Sequence, residues 1–180
     1  MDIENTQPDL VLKMMEQGDI PENSIVRAIV RVAKPYDDAR LARAKHIVAR
    51  YLHHPDSLVR HEAIWFLGCW GKFKDYLPNL LEALFGDPDP DIRGFAATCV
   101  GVLDRGAKNS AAIGALVDVI RNECEDADVR LKAYSGLLDV ADLKTMPNDE
   151  RFKYAIGEKG LEHIDWNWVN SIAITRDPNV

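Results

Sequence analysis

The 180-residue sequence predicts an all-α fold, a right-handed α-solenoid of helix pairs closed by divergent terminal caps. Three observations lead there. A short motif recurs at a nearly fixed interval, a second apolar helix follows it in register, and residues that cap helix starts stand ahead of each copy.

The elements follow in chain order. Residues 8–17, in "MDIENTQPDLVLKMMEQ", predict a short helix inside an N-terminal capping segment, 1–21. The segments "NSIVRAIV", "DSLVRHEA", "DPDIRGFA" and "DADVRLKA" then align at Arg27, Arg60, Arg93 and Arg130, spaced by 33, 33 and 37 residues. Four residues before each Arg stands Asn23, Asp56, Asp89 or Asp126, whose side chains can accept from the exposed amides of a helix start. Pro90 falls at the first helical position, where a missing N–H costs nothing. Just before each Arg comes Val26, Val59, Ile92 or Val129, and three residues after it Val30, Ala63, Ala96 or Ala133. These share one helical face, and small residues there admit a close neighbour. Gly68 and Gly101, eight residues after their Arg, mark a tight approach or a turn.

Second helices are expected in "YDDARLARAKHIVARYL", "DYLPNLLEALFG" and "NSAAIGALVDVIRN". Leu77, Leu80, Leu81 and Leu84 form an apolar face that Ile113, Leu116, Val117 and Ile120 repeat 36 residues later. The extra three residues fall in the loop "DRGAKN". Four units thus occupy residues 22–142 of a single domain, and 143–180, with the polar "MPNDERFKYAIGEKG" and "LEHIDWNWVNSIAI", make a divergent C-terminal cap.

The D-x-x-V/I-R-x-x-A pattern, with L-G or V-G following it in two copies, resembles the short HEAT-like repeats of phycobilin lyases and bacterial scaffold proteins. The resemblance covers about residues 22–142 and implies a fold rather than a reaction, because such repeats serve many roles. "VRHEAIWFLG" also resembles the metal-binding repeats of deoxyhypusine hydroxylase, a HEAT-like di-iron enzyme. That resemblance implies several His-Glu pairs converging on two metals. The columns of His61-Glu62 hold Ala28-Ile29, Gly94-Phe95 and Leu131-Lys132 in the other copies, so one pair in four cannot assemble that site. Zincin spacing fails as well, because Trp65 stands where a second His is needed. His53 and His54 precede the same helix without completing four ligands, so no metal and no cofactor is expected.

No Gly-rich phosphate loop or G-x-S-x-G is present, and the Asp residues of "GDPDPDIR" serve a turn and a cap, so an enzyme is not expected. Lys plus Arg total 22 against 29 Asp plus Glu, a balance that disfavours general nucleic-acid binding and, with it, a DNA-lesion-binding HEAT protein. Charge is uneven, however: residues 27–60 carry eight bases and three acids between two acidic stretches. Cys69, Cys99 and Cys124 lie inside apolar helical patterns without CxxC spacing and read as reduced small core residues, which points to a cytoplasmic compartment. The amino terminus carries no signal pattern, and no apolar run is long enough to span a membrane.

Two surfaces are candidates for binding a partner, and the first is preferred because its charge gradient spans three consecutive repeats whereas Trp65 stands alone in its column. Opposite the apolar faces of the second helices lie Arg43, His46 and Arg50, then Asp75, Asn79 and Glu82, then Ala115, Asp118 and Asn122. Side by side they would make a concave stripe running from basic to acidic, or an ordinary solvated face. Trp65 falls on a helical wheel opposite the core columns, either exposed as an anchor or packed under "CWGKF", whereas Trp70 is placed with the core. Of Trp166 and Trp168, at most one should be fully buried. The leading expectation is a non-catalytic, protein-binding module, an inhibitor or immunity-type protein that occludes a toxin or enzyme through Arg43, His46, Arg50, Asn79, Glu82, Asp118, Asn122 or Trp65. The alternative is a phycobilin-lyase-like accessory factor handling a chromophore. Such a factor needs an apolar cleft with a convergent acid or His, and no such cluster is visible in the sequence.

Overall fold

The computed structural model describes residues 2–141 and 146–174. The start of the C-terminal cap, 143–145, and its end, 175–180, lie outside the described residues. The described chain is all-α, without a strand. Its helices are α1 (Pro8–Gln17), α2 (Ile25–Ala33), α3 (Asp38–Val48), α4 (Ser57–Trp65), α5 (Leu77–Gly86), α6 (Pro90–Leu103), α7 (Ser110–Arg121), α8 (Ala127–Val140), α9 (Asn148–Ala155) and α10 (Trp166–Ile174). A π-helical turn, Phe66–Trp70, extends α4. The chain divides into two compact units, Met1–Asn79 and Leu80–Val180.

Three of the four expected caps form. Asp56, Asp89 and Asp126 accept hydrogen bonds from the amides of Leu58, Asp91 and Asp128 at the starts of α4, α6 and α8. Pro90 occupies the first turn of α6. Replacing Asp89 with Ala should therefore lower the unfolding free energy by about 1 kcal/mol. Urea denaturation would show this as a lower midpoint, and an unchanged midpoint would remove the cap from the account.

The first copy departs from the pattern. Asn23 lies inside a 3₁₀ turn, Glu22–Ser24, and α2 starts only at Ile25, so Asn23 caps no α-helix. Its core face is Ile25, Ala28, Ile29 and Val32, while Val26 and Val30 are only half-buried and Arg27 points outward to Glu4 at 3.5 Å. Without an Asp cap the helix starts later, and Arg27 falls in its first turn with no preceding loop carbonyl to reach.

The other repeat arginines have a shared task. Arg60 Nη1 donates to the carbonyls of His54 and Pro55, Arg93 Nη1 to that of Asp87, and Arg130 Nε to that of Ile120. Each ties its helix to the end of the preceding helix or loop, whose carbonyls would otherwise lack donors. Arg40, 5% exposed, does this for the first pair through Val32 O and Pro35 O.

In the first unit α1 packs on α2 and α3, and α2 packs on α4. In the second, α8 packs against α6, α7 and α9, and α10 lies against α7. The close approach expected at Gly101 is made to Gly136: a Cβ built on Gly101 would stand 2.6 Å from Gly136 Cα, and one on Gly136 would stand 2.6 Å from Ala97 O. Gly68 is buried within the π-helical turn. Leu80, Leu84, Leu116, Val117 and Ile120 are buried, and Leu77, Leu81 and Ile113 are half-buried. Ala115, expected on the open face of α7, is buried instead, because α7 is covered by α8 and by α10. Trp166 is exposed with the Arg130 guanidinium 5.8 Å from its ring, and Trp168 is half-buried against Tyr134.

Candidate functional site

The residues of the expected stripe are distributed over both units. In the first unit, Arg43 pairs with Asp9 of α1, Arg50 Nη2 donates to Met15 O at 3.1 Å, and His46 Nδ1 lies 2.9 Å from the Tyr76 hydroxyl. Lys45 pairs with Asp75 at 2.6 Å, and that hydrogen bond holds the Asp75 carboxyl below its usual range. These cations therefore hold α3 to α1 and to the turn before α5. Asn79, half-buried, also belongs to this unit. In the second unit Glu82, Asp118 and Asn122 are exposed, and Asn122 ends α7 with its side chain accepting from the Cys124 amide.

Trp65 has a different setting. It is half-buried and lines an open cleft of about 340 Å³ in the first unit, together with Val30, Lys34, His61, Glu62 and Trp70. His61 and Trp65, one helical turn apart on α4, stack with ring centroids 6.3 Å apart and planes 17° from parallel. Trp70 meets Trp65 edge-on at 6.2 Å and 88°. Its carbonyl accepts from the Tyr36 hydroxyl at 2.6 Å. Lys34 Nζ stands 5.6 Å from the centre of the Trp70 ring, within cation–π range. His61 Nδ1 lies 3.5 Å from Glu62 Oε1.

Trp70 was expected in the core, away from Trp65, and the π-helical turn corrects that placement. A wheel drawn at 100° per residue puts residues five apart on different faces. In the turn the bond from the Gly71 amide to Phe66 O, 2.8 Å, spans five residues instead of four. Residues five apart then lie one above the other, so Trp70 comes to rest over Trp65. Lys34 and Val30 were also missed as site residues, because nothing in their local sequence announces that α2 will face α4.

A second hollow of about 310 Å³ adjoins the first, lined by Glu4, Val26, Arg27, Val30, Arg31 and Lys34. Val30 and Lys34 line both. Arg31 Nε donates to Thr6 O at 2.7 Å and its Nη1 reaches Lys34 O at 3.5 Å.

Among the described residues no group of three or more His, Cys, Asp or Glu side chains could hold a metal ion. His54 instead sets its Nε2 2.8 Å from Glu22, while its Nδ1 accepts from the Asp56 amide. No helix of the described residues is long and apolar enough to cross a membrane.

Residues 77–106 match the family model of the HEAT repeat, and they cover α5, α6 and the turn after it. The helix pairs are HEAT-like repeats. The match takes the second helix of one pair with the first of the next, which in a HEAT-like chain is the same repeat counted from a different start. A comparison with curated proteins finds no match.

Proposed function

We propose that this HEAT-like protein is a non-catalytic module that binds and occludes another protein, with the Trp65 cleft as its anchor. One observation carries the reading: two half-buried tryptophans meet in an open cleft beside a lysine, a histidine and a glutamate. Tryptophan in a partly covered setting is the residue most enriched among those that dominate binding energy. The arginines of the α3 stripe, in contrast, already serve contacts inside the fold. An inhibitor or immunity-type role is our finer reading, supported by the acidic character of the sequence.

The test is affinity capture from the producing cells, quantified by mass spectrometry and followed by titration of the captured protein. Trp65→Ala should weaken a genuine partner by about 2 kcal/mol or more, roughly thirtyfold in Kd, with circular dichroism unchanged. Arg43→Glu with Arg50→Glu should have a smaller effect. If the double reversal abolishes binding and Trp65→Ala leaves it intact, the α3 stripe is the binding face.

The cleft also gives substance to a second reading, a chromophore-handling factor, because it brings together the histidine and acid that this role needs. Its volume lies at the small end of the roughly 300–1,000 Å³ of ligand pockets. Titration with a bilin, followed by its visible absorbance, separates the two: a saturable spectral change lost in Glu62→Gln would favour the pigment.

A further inference from the structure

We infer that the two hollows beside α2 act as one recognition groove for a partner segment in which a tyrosine or tryptophan stands next to an aspartate or glutamate. The inference rests on the cleft being the protein-binding site and adds the chemistry of what enters it.

Continuity comes first. Val30 and Lys34 sit four residues apart and line both hollows, so an occupant of one lies alongside the other. The larger hollow is walled by Trp65, Trp70 and His61, rings that favour a stacked or edge-on aromatic guest. Such a guest brings Glu62 within its reach, a half-buried carboxylate whose neighbour His61 is 3.5 Å away. A carboxylate accepts but does not donate, so it selects a guest carrying a donor, the phenol of tyrosine or the indole N–H of tryptophan, over phenylalanine.

The smaller hollow supplies the second half. Arg27 is matched there by Glu4 at 3.5 Å. Lys34 and Arg31 form no ion pair among the described residues: Lys34 rests over the Trp70 ring, and Arg31 is held by two carbonyls, which fix the guanidinium without neutralising it. Two cations on one ledge, beside an aromatic slot, complement an acidic residue adjacent to the aromatic one. The surrounding charge agrees in sign: residues 27–60 carry five net positive charges in a chain whose net charge is −7, and the balance stays positive after Arg27, Arg43 and Lys45 are matched by Glu4, Asp9 and Asp75. An acidic segment is therefore attracted to this band and repelled by the rest of the surface.

The experiment is selection of a random-peptide display library on the full chain, followed by anisotropy titration of the synthetic consensus peptide. The expected consensus holds Tyr or Trp next to Asp or Glu. Lys34→Glu should weaken that peptide at least tenfold, a peptide with the acid changed to Lys should recover binding to Lys34→Glu, and Trp65→Ala should abolish binding of both. Rescue by the swapped charge cannot arise from misfolding. Peptides that need Trp65 but carry no acid would overturn this inference and leave the cleft as the binding site. Failure to enrich any peptide, or enrichment of peptides indifferent to Trp65→Ala, would overturn both.

Discussion

Gly136→Val should lower the unfolding free energy by about 3 kcal/mol, and Gly136→Ala by about 1 kcal/mol despite alanine's better helix propensity. The reason is the crossing of α6 and α8. A Cβ at Gly136 would lie 2.6 Å from Ala97 O, and one at Gly101 would lie 2.6 Å from Gly136 Cα. Both obstacles are backbone, so relief requires the helices to part. Two other helical glycines serve as controls. Gly94 would meet Lys132 Cδ at 2.7 Å, the middle of a flexible side chain that can swing aside, and Gly86 would meet nothing within 4 Å. Gly86→Ala should be neutral or stabilising. Chemical denaturation of the three alanine variants would check the ranking, and a Gly136→Ala protein as stable as Gly86→Ala would show that the crossing has slack.

Arg93→Leu should cost about 2 kcal/mol at neutral pH, the scale of a lost charge-assisted pair that leaves its partner covered. Arg93 holds Glu125 with two hydrogen bonds, Nε to Oε2 at 3.0 Å and Nη2 to Oε1 at 2.7 Å, and the two side chains are only 19% and 12% exposed. That hydrogen bonding lowers the Glu125 carboxyl from its ordinary value of 4.5. A carboxyl whose folded value is depressed contributes stability that is fully present above the unfolded value and is lost as pH falls through the folded one. The gap between wild type and Arg93→Leu should therefore be widest above pH 4.5 and narrow on further acidification. A gap that stays constant down to about pH 2 would mean that Arg93 acts through the Asp87 carbonyl alone.

Most of the fold was legible because its signals are local. An Asp four residues before an Arg announces a helix start within one turn, and three of the four starts form as read. Asn23 failed for the same local reason: its turn is 3₁₀, and the helix begins after it. The face of Leu80 and Leu84 was legible from period alone. The site was less so. Trp65 could be singled out by its position on the wheel, but its meeting with Trp70 depends on a change of helical period that no residue type declares. Arg43, His46 and Arg50 were read as one open face, and all three are exposed. Their use as struts to α1 required knowing where Asp9 and Met15 O lie, which is tertiary information.

The π-helical turn Phe66–Trp70 has a genetic reading. It accommodates one residue more per hydrogen-bonded turn than the α-helix it continues, the length of a single codon. Deleting one residue between Trp65 and Trp70 would let α4 run on with its ordinary period and leave the two tryptophans four apart, still on one face of an α-helix, so the two-tryptophan wall would survive. The wall therefore tolerates the in-frame loss of one codon between the two tryptophans, whereas one further codon inserted into a helix of ordinary period would carry Trp70 to another face.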